Sequence, residues 1–278
     1  DFTIALGNEI YLTETREPKQ KYYHFILIAK DNDGYTQLKK LSSLAWTNIY
    51  EYGRLERVPT LKEDLKRIIK ENPGHVIATS ACIGGELSSN ALLMAKARAV
   101  GDNQNAKIYY DNINNFLNYC LDIFGSDFYI ECAPSTDEEQ ILVNQTLYKI
   151  SKALGIPMVI GTDAHYLRPE DRPIHRAYLT SKDGDRETDK FYQYTYVMSP
   201  DEVKELMLKS IEDEAVIDLM FENSQELQKK IQWFSLERKQ NIPKIQLKEY
   251  NNSEYNHYFG INNDYADELK GRWKIIQD

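Results

Sequence analysis

The sequence predicts an α/β fold built on a mainly parallel sheet, and three observations carry that expectation. Short β-rich runs alternate with helical patterns over the first two-thirds of the 278 residues. Several of the runs are almost wholly apolar, as strands covered on both faces require. Capping signatures and glycines punctuate the helical patterns between them, which is the texture of right-handed βαβ units, open or closed into a barrel.

The elements follow in order along the chain. Residues 3–12 and 22–29 read as the first two strands. Residues 34–50 read as a helix with Leu38, Leu41, Ala45 and Ile49 along one face. Thr60-Leu61-Lys62-Glu63 has the form of a capping box, in which each end residue's side chain accepts from the other's backbone N–H. It would open a helix through Lys70. Residues 75–80 form the next strand, and Gly84-Gly85 begins a further helix. Residues 105–124 set Tyr109, Ile113, Phe116, Leu117, Cys120 and Phe124 on one helical stripe. Residues 128–132 are a strand, and Thr136-Asp137-Glu138-Glu139 is a second capping box whose helix ends at Gly155. Residues 157–161 form the last strand. Beyond Tyr166 the texture changes: residues 181–188 (SKDGDRET) read as a polar loop. Ser199-Pro200-Asp201-Glu202 then opens the first of two acidic–basic helices reaching about residue 232. The Asn- and Tyr-rich remainder reads as a linker or partial element.

Composition narrows the function. Lys and Arg number 34 against 43 Asp and Glu, a net charge of −9. That argues against a whole-surface electrostatic grip on nucleic acid, though not against a local patch. No run approaches the roughly 18 apolar residues of a membrane span. Cys82, Cys120 and Cys132 are irregularly spaced with no CxxC pair, so a reducing, cytoplasmic compartment is expected rather than a disulfide scaffold. The chain opens on Asp1 with no signal segment and reads as trimmed at its start.

The clearest chemical signal is Met158-Val159-Ile160-Gly161-Thr162-Asp163-Ala164-His165. An apolar strand runs out and presents Asp163 and His165 two residues apart, at the strand end where parallel α/β folds place their sites. In extended chain the two side chains point the same way and can share a metal. A local cap for Asp163 and a local hydrogen bond for His165 weigh about equally. Cys82 stands at the corresponding place after residues 75–80; a buried free thiol is its commoner fate. Gly84-Gly85 could cradle a phosphate, on weak evidence. Glu9 and His24 are ionisable residues within strands, which need a partner if buried. Solvent-facing positions are the plainer reading for both. His75 reads as a turn residue, and His175, in a helix-like run, as a surface residue or one bordering the site. No P-loop, nucleophile elbow or dinucleotide fingerprint is present.

Taken together, HFILIAKDNDGYTQLKKLSSLAW, VIATSACIGGEL, DFYIE, LGIPMVIGTDAHYLRPEDRPIHRAYL and FENSQEL resemble the N-terminal PHP (polymerase and histidinol phosphatase) domain of the bacterial or phage replicative DNA polymerase III alpha subunit. The resemblance runs in order from about Gly7 to Glu226. It implies a distorted (β/α)7 barrel whose first strands are missing here, with residues 1–198 as the PHP domain. Residues 199–278 would be a helical connector towards an absent polymerase palm. It implies a site holding zinc, manganese or iron, with Glu9, His24, Cys82, Asp163 and His165 on the family's ligand positions and no separate catalytic nucleophile. The family's remaining ligands, an H-x-H strand, an Asp and a further His, stand upstream of the glutamate motif. It also implies a parent protein that is a DNA-directed DNA polymerase, using magnesium in domains outside this chain. That parent would act on DNA and deoxynucleoside triphosphates, beside a proofreading exonuclease subunit and a sliding clamp. The PHP site would support 3′–5′ exonuclease or related phosphoesterase chemistry. A catalytically silent scaffold docking the proofreading subunit and a free-standing PHP phosphatase are the alternatives.

Overall fold

The computed structural model describes residues 4–17, 20–47, 50–52, 55–183 and 191–236. In chain order they form β1 (Gly7–Thr13), β2 (Tyr23–Ala29), α1 (Asn32–Trp46), β3 (Tyr50–Tyr52), β4 (Leu55–Arg57), β5 (Pro59–Leu61) and α2 (Lys62–Glu71). Then come β6 (Val76–Thr79), α3 (Glu86–Ala99), α4 (Asn103–Phe124), β7 (Phe128–Cys132), α5 (Glu138–Leu154) and β8 (Met158–Ile160). Three helices close the described part: α6 (Arg172–Asp183), α7 (Pro200–Met207) and α8 (Glu214–Lys229).

Six strands make one sheet in the order β5-β1-β2-β6-β7-β8, and β3 pairs with β4 in a separate ribbon. The α/β class is as expected, and the sheet is mainly parallel, with β2 alone reversed. β2 runs antiparallel to both β1 and β6, while β1–β5, β6–β7 and β7–β8 are parallel. Connection length explains the reversal: the nine residues between β1 and β2 are too few for a crossover, so the chain returns antiparallel. Among the described residues no pairing joins β5 to β8, and closure into the expected (β/α)7 barrel is not seen.

The pleat divides the sheet into two faces. One carries Ile10, Leu12, Phe25, Leu27, Val76, Ala78, Phe128, Ile130 and Met158 into the main core. There Phe116 of α4 meets Phe25 and Phe128 edge-on, at ring separations of 6.0 and 6.5 Å. The other face carries Glu9, His24, Ile26, Ile28, Ile77, Thr79, Tyr129, Glu131 and Val159. Ile77, Tyr129 and Val159 form a small second cluster against Ile28 and Leu227. Full apolarity was expected of strands covered on both faces, but the second face mixes apolar with ionisable groups.

Several local expectations change. The helix expected over 34–50 stops at Trp46 and the chain re-enters a strand at Tyr50. Thr60 does not cap α2: it is buried in β5, and Leu61 occupies the cap position with no side-chain bond. At α5 the cap is Asp137 rather than Thr136, its carboxylate accepting from the N–H groups of Glu139 and Gln140. A carboxylate is the stronger cap at a helix's positive end. Gly155 ends α5 in the left-handed region, and the Ser199–Glu202 box forms as drawn. Residues 181–183 are the last turn of α6, and 184–190 lie outside the described residues, as do Ile49 and the Asn- and Tyr-rich stretch from 237.

Residues 1–235 form one compact unit. Within it α7 and α8 send Val203, Met207, Ile217 and Met220 into the same core as the sheet. Asn223 Nδ2 donates to the Met158 carbonyl at 2.8 Å, tying α8 to β8. Lys30 and Lys230 both close on Asp127, at 2.7 and 2.8 Å.

Phe116 is fully buried between two aromatic neighbours. Phe116→Ala is expected to lower the unfolding free energy by about 3–5 kcal/mol in urea denaturation. A loss below about 1 kcal/mol would contradict this account of the core.

Candidate metal centre

β1 and β2 pair with Glu9 opposite Ile26 and Tyr11 opposite His24. Glu9 and His24 are therefore diagonal neighbours on the second face, close enough for side-chain contact. His24 Nδ1 lies 2.5 Å from Glu9 Oε1 and 3.5 Å from Cys82 Sγ. The ligand atoms of Glu9, His24 and Cys82 all fall within 4.8 Å of one another.

Cys82 reaches this group because the chain turns sharply after β6. Ala81 adopts a left-handed φ of +59°, and the following glycines let the loop press against β2. A Cβ on Gly85 would stand 2.1 Å from the Ser80 carbonyl, and one on Gly84 would meet the His24 ring at 3.3 Å. The His24 backbone N–H donates to the Gly84 carbonyl at 3.1 Å. The glycine pair thus serves close backbone approach to the histidine strand, not a phosphate cradle.

Asp163 follows β8 and also takes a left-handed φ, +45°. The Asp163–His165 segment is consequently not the regular extended chain expected of a D-x-H pair. His165 Nδ1 sits 2.6 Å from the Asp163 carbonyl oxygen and 3.6 Å from its carboxylate. A carbonyl only accepts, so Nδ1 carries the proton and Nε2 is left for a ligand. The ring of His175 stands edge-on 5.5 Å from His165, with Tyr192 against both. Of the two positions expected for His175, the one bordering the site is the one it takes. Ala81 and Asp163 are the non-glycine left-handed residues among those described; each follows a strand end, and Cys82 after Ala81 and Asp163 itself line one cavity.

That cavity, about 300 Å³, is lined by Glu9, Cys82 and Asp163, with Ile26, Ile28 and Val159 from the sheet and Leu227 from α8. It also exposes a residue that sequence reasoning passed over, Glu131 of β7. The residue is 7% exposed, and its carboxylate accepts a 2.5 Å hydrogen bond from Thr79 Oγ1 through Oε2. The signal was present: an acid inside an apolar strand, the reasoning that singled out Glu9.

The charges form a coupled set. Hydrogen bonds to Cys82 and then to Glu9 push His24 up to about 10. The His24 hydrogen bond holds the Glu9 carboxyl below its usual range, against the effect of burial. Burial raises Asp163, although His165 and the Cys82 thiol pull the other way. Burial likewise raises Glu131 to about 7, with the charges of Asp163 and Glu9 adding to it and Thr79 opposing. A carboxylate, an imidazole and a thiol converging at this spacing suit zinc, manganese or iron: a tetrahedral ion separates its ligand atoms by about 3.5 Å. The donor set fits such an ion.

Residues 1–135 match the family described as PHP domain. The chain carries a PHP domain with homology to DNA polymerase III alpha subunits. It is 40% identical over 256 residues to the probable DNA polymerase YorL of Bacillus subtilis and to a DNA-directed DNA polymerase of Bacillus phage SPbeta. That match covers 89% of the chain and 20% of either relative. It is 32% identical over 224 residues to the DNA polymerase III subunit alpha of Thermus aquaticus, covering 73% of the chain and 16% of the relative. The chain thus spans about a fifth or less of the relatives it matches. No helix among the described residues of this PHP-domain chain is long and apolar enough to cross a membrane.

Glu131 makes the metal-free PHP domain pH-sensitive. Its folded pKa lies near 7 against an ordinary 4.5, so the folded state holds the proton more tightly than the unfolded chain. Stability from this group is complete below about pH 4.5 and is lost as pH rises through 7, by roughly 3 kcal/mol in total. Urea denaturation of chelator-treated protein should show wild type losing that amount relative to Glu131→Gln between pH 4.5 and 8. Parallel pH curves for the two proteins would reject this reading.

Proposed function

We propose that this chain is the PHP part of a DNA-directed DNA polymerase acting in DNA replication. Its cleft is a divalent-metal site for phosphoesterase chemistry of the 3′–5′ exonuclease type. The observation that carries the metal reading is the convergence of Glu9, His24 and Cys82 on one side of the sheet, beside Asp163. Names of the relatives carry the polymerase reading.

In this reading Glu9, His24, Cys82, Asp163 and His165 hold zinc, manganese or iron. Bound divalent metal acidifies a water and neutralises a phosphodiester, so no separate protein nucleophile is needed. The chain's own residues shape and dry the approach: Ile26, Ile28 and Val159 form an apolar floor, and Leu227 covers one side. The cavity has room for about ten waters, enough for a hydrated ion and a phosphate group. Residues 1–198 form the PHP portion and 199–278 connect it to a polymerase core. DNA, deoxynucleoside triphosphates, magnesium, a sliding clamp and a proofreading subunit belong to that cytoplasmic parent.

A second reading, the silent scaffold, draws on His24 itself. Its Nδ1 already faces both Glu9 and Cys82, so the trio satisfies its own polar groups without an ion. Elemental analysis separates the two. The metal site is expected to load with zinc or manganese on dialysis. Cys82→Ser and the double change Asp163→Ala with His165→Ala are each expected to release most of that metal. Full occupancy in the double variant rejects the assignment, and wild-type protein that takes up no metal decides for the scaffold.

A further inference from the structure

Glu131 has no place in the ligand set just described, yet it is the most deeply buried acid on the cavity. Its side chain is more than nine-tenths buried, and Thr79 Oγ1 fixes Oε2 at 2.5 Å. Among the described residues Oε1 receives no hydrogen bond. That oxygen occupies the space a Cβ on residue 161 would need, 2.0 Å from the position such an atom would take. Residue 161 is glycine, with φ outside the left-handed region, so the requirement is space for the carboxylate and not backbone freedom. The residue after β8 has thus given up its side chain to admit a buried acid beside a cavity that already holds Glu9 and Asp163.

An uncompensated carboxylate in such a place is unfavourable unless something cationic faces it. Lys and Arg are absent from the cavity lining; His24 is engaged by Glu9 and Cys82, and His165 by Asp163. We propose that Glu131 is a further cation-binding residue of the cleft. Anchored by Thr79 and admitted by Gly161, it presents Oε1 as an inner negative charge that sets affinity for a divalent ion. This rests on the metal reading above and assigns to its floor a residue outside the five ligands.

The test is isothermal titration of chelator-treated protein with zinc and with manganese, paired with thermal unfolding. Glu131→Gln keeps the volume and the Thr79 contact but removes the charge. It is expected to weaken metal affinity by 10–100-fold and to shrink the metal-induced rise in Tm, while the metal-free Tm stays level or rises. Glu131→Asp keeps the charge and is expected to retain more affinity than Glu131→Gln. Wild-type affinity in Glu131→Gln overturns the proposal, as does equal loss in both variants, since shape alone would then matter. A fall in metal-free Tm with affinity unchanged assigns Glu131 a purely structural role and also overturns it. Wild-type protein that binds neither ion refutes the metal reading itself, a separate result.

Discussion

The register between β1 and β2 governs this structure. Side chains alternate faces with a period of two, so a slip of one residue would drive Glu9 and His24 into the core beside Phe25 and Leu27. It would also bring Ile10 out onto the cavity face. Burying two ionisable groups against that core, with no partner, carries a penalty of several kcal/mol. The core face, where Leu12, Phe25 and Leu27 are fully buried, therefore locks the pairing that brings an acid and an imidazole together. The site is in this sense a by-product of core packing on the opposite face.

Once that pairing is set, the remaining groups are delivered by strand ends and the glycines around them. Ala81 and Asp163 are turned out of the β region immediately after β6 and β8. Conformations of this kind cost about 1–3 kcal/mol each and persist where surrounding contacts hold them. Here the contacts are visible: Gly85 lies against the Ser80 carbonyl, and the Gly161 N–H donates to the Cys132 carbonyl at 2.9 Å. Glu131 fills the space at Gly161, so β7 and the turn after β8 interlock through a charged side chain rather than an apolar one.

Much of this was legible in the sequence. The α/β class, the strands carrying Glu9, His24 and Glu131, the α4 stripe and the Ser199 capping box follow from period and punctuation. What misled was local. A Thr-x-x-Glu pattern cannot reveal that Thr60 is already committed to a β5 ladder, and the D-x-H spacing implies extended backbone where Asp163 is in fact left-handed. Strand direction was also hidden, because the hydrophobic pattern of β2 is the same in either sense. The short link from residue 14 to 22 held that information, and reading its length would have shown the antiparallel return. Glu131 was missed because its strand was taken whole as a buried run, although its neighbour Tyr129 marks the alternate face.

The balance of charge in the cleft bears on what kind of ligand can enter first. Glu9, Asp163 and Glu131 face one cavity, and the imidazoles of His24 and His165 are held by a carboxylate, a thiol or a carbonyl within the protein. A phosphodiester approaching such a surface meets negative potential, and the net charge of −9 on the chain strengthens it at long range. Arg or Lys clamps, the usual protein answer to phosphate, do not line the cavity. Lys66, Arg67 and Lys70 on α2 are engaged by Asp64, Glu71 and Asp122, so that helix offers no free basic stripe either. Under the proposed metal reading, a nucleic-acid end would bind here only after cations had reversed the local potential, so metal loading would precede substrate entry as well as chemistry.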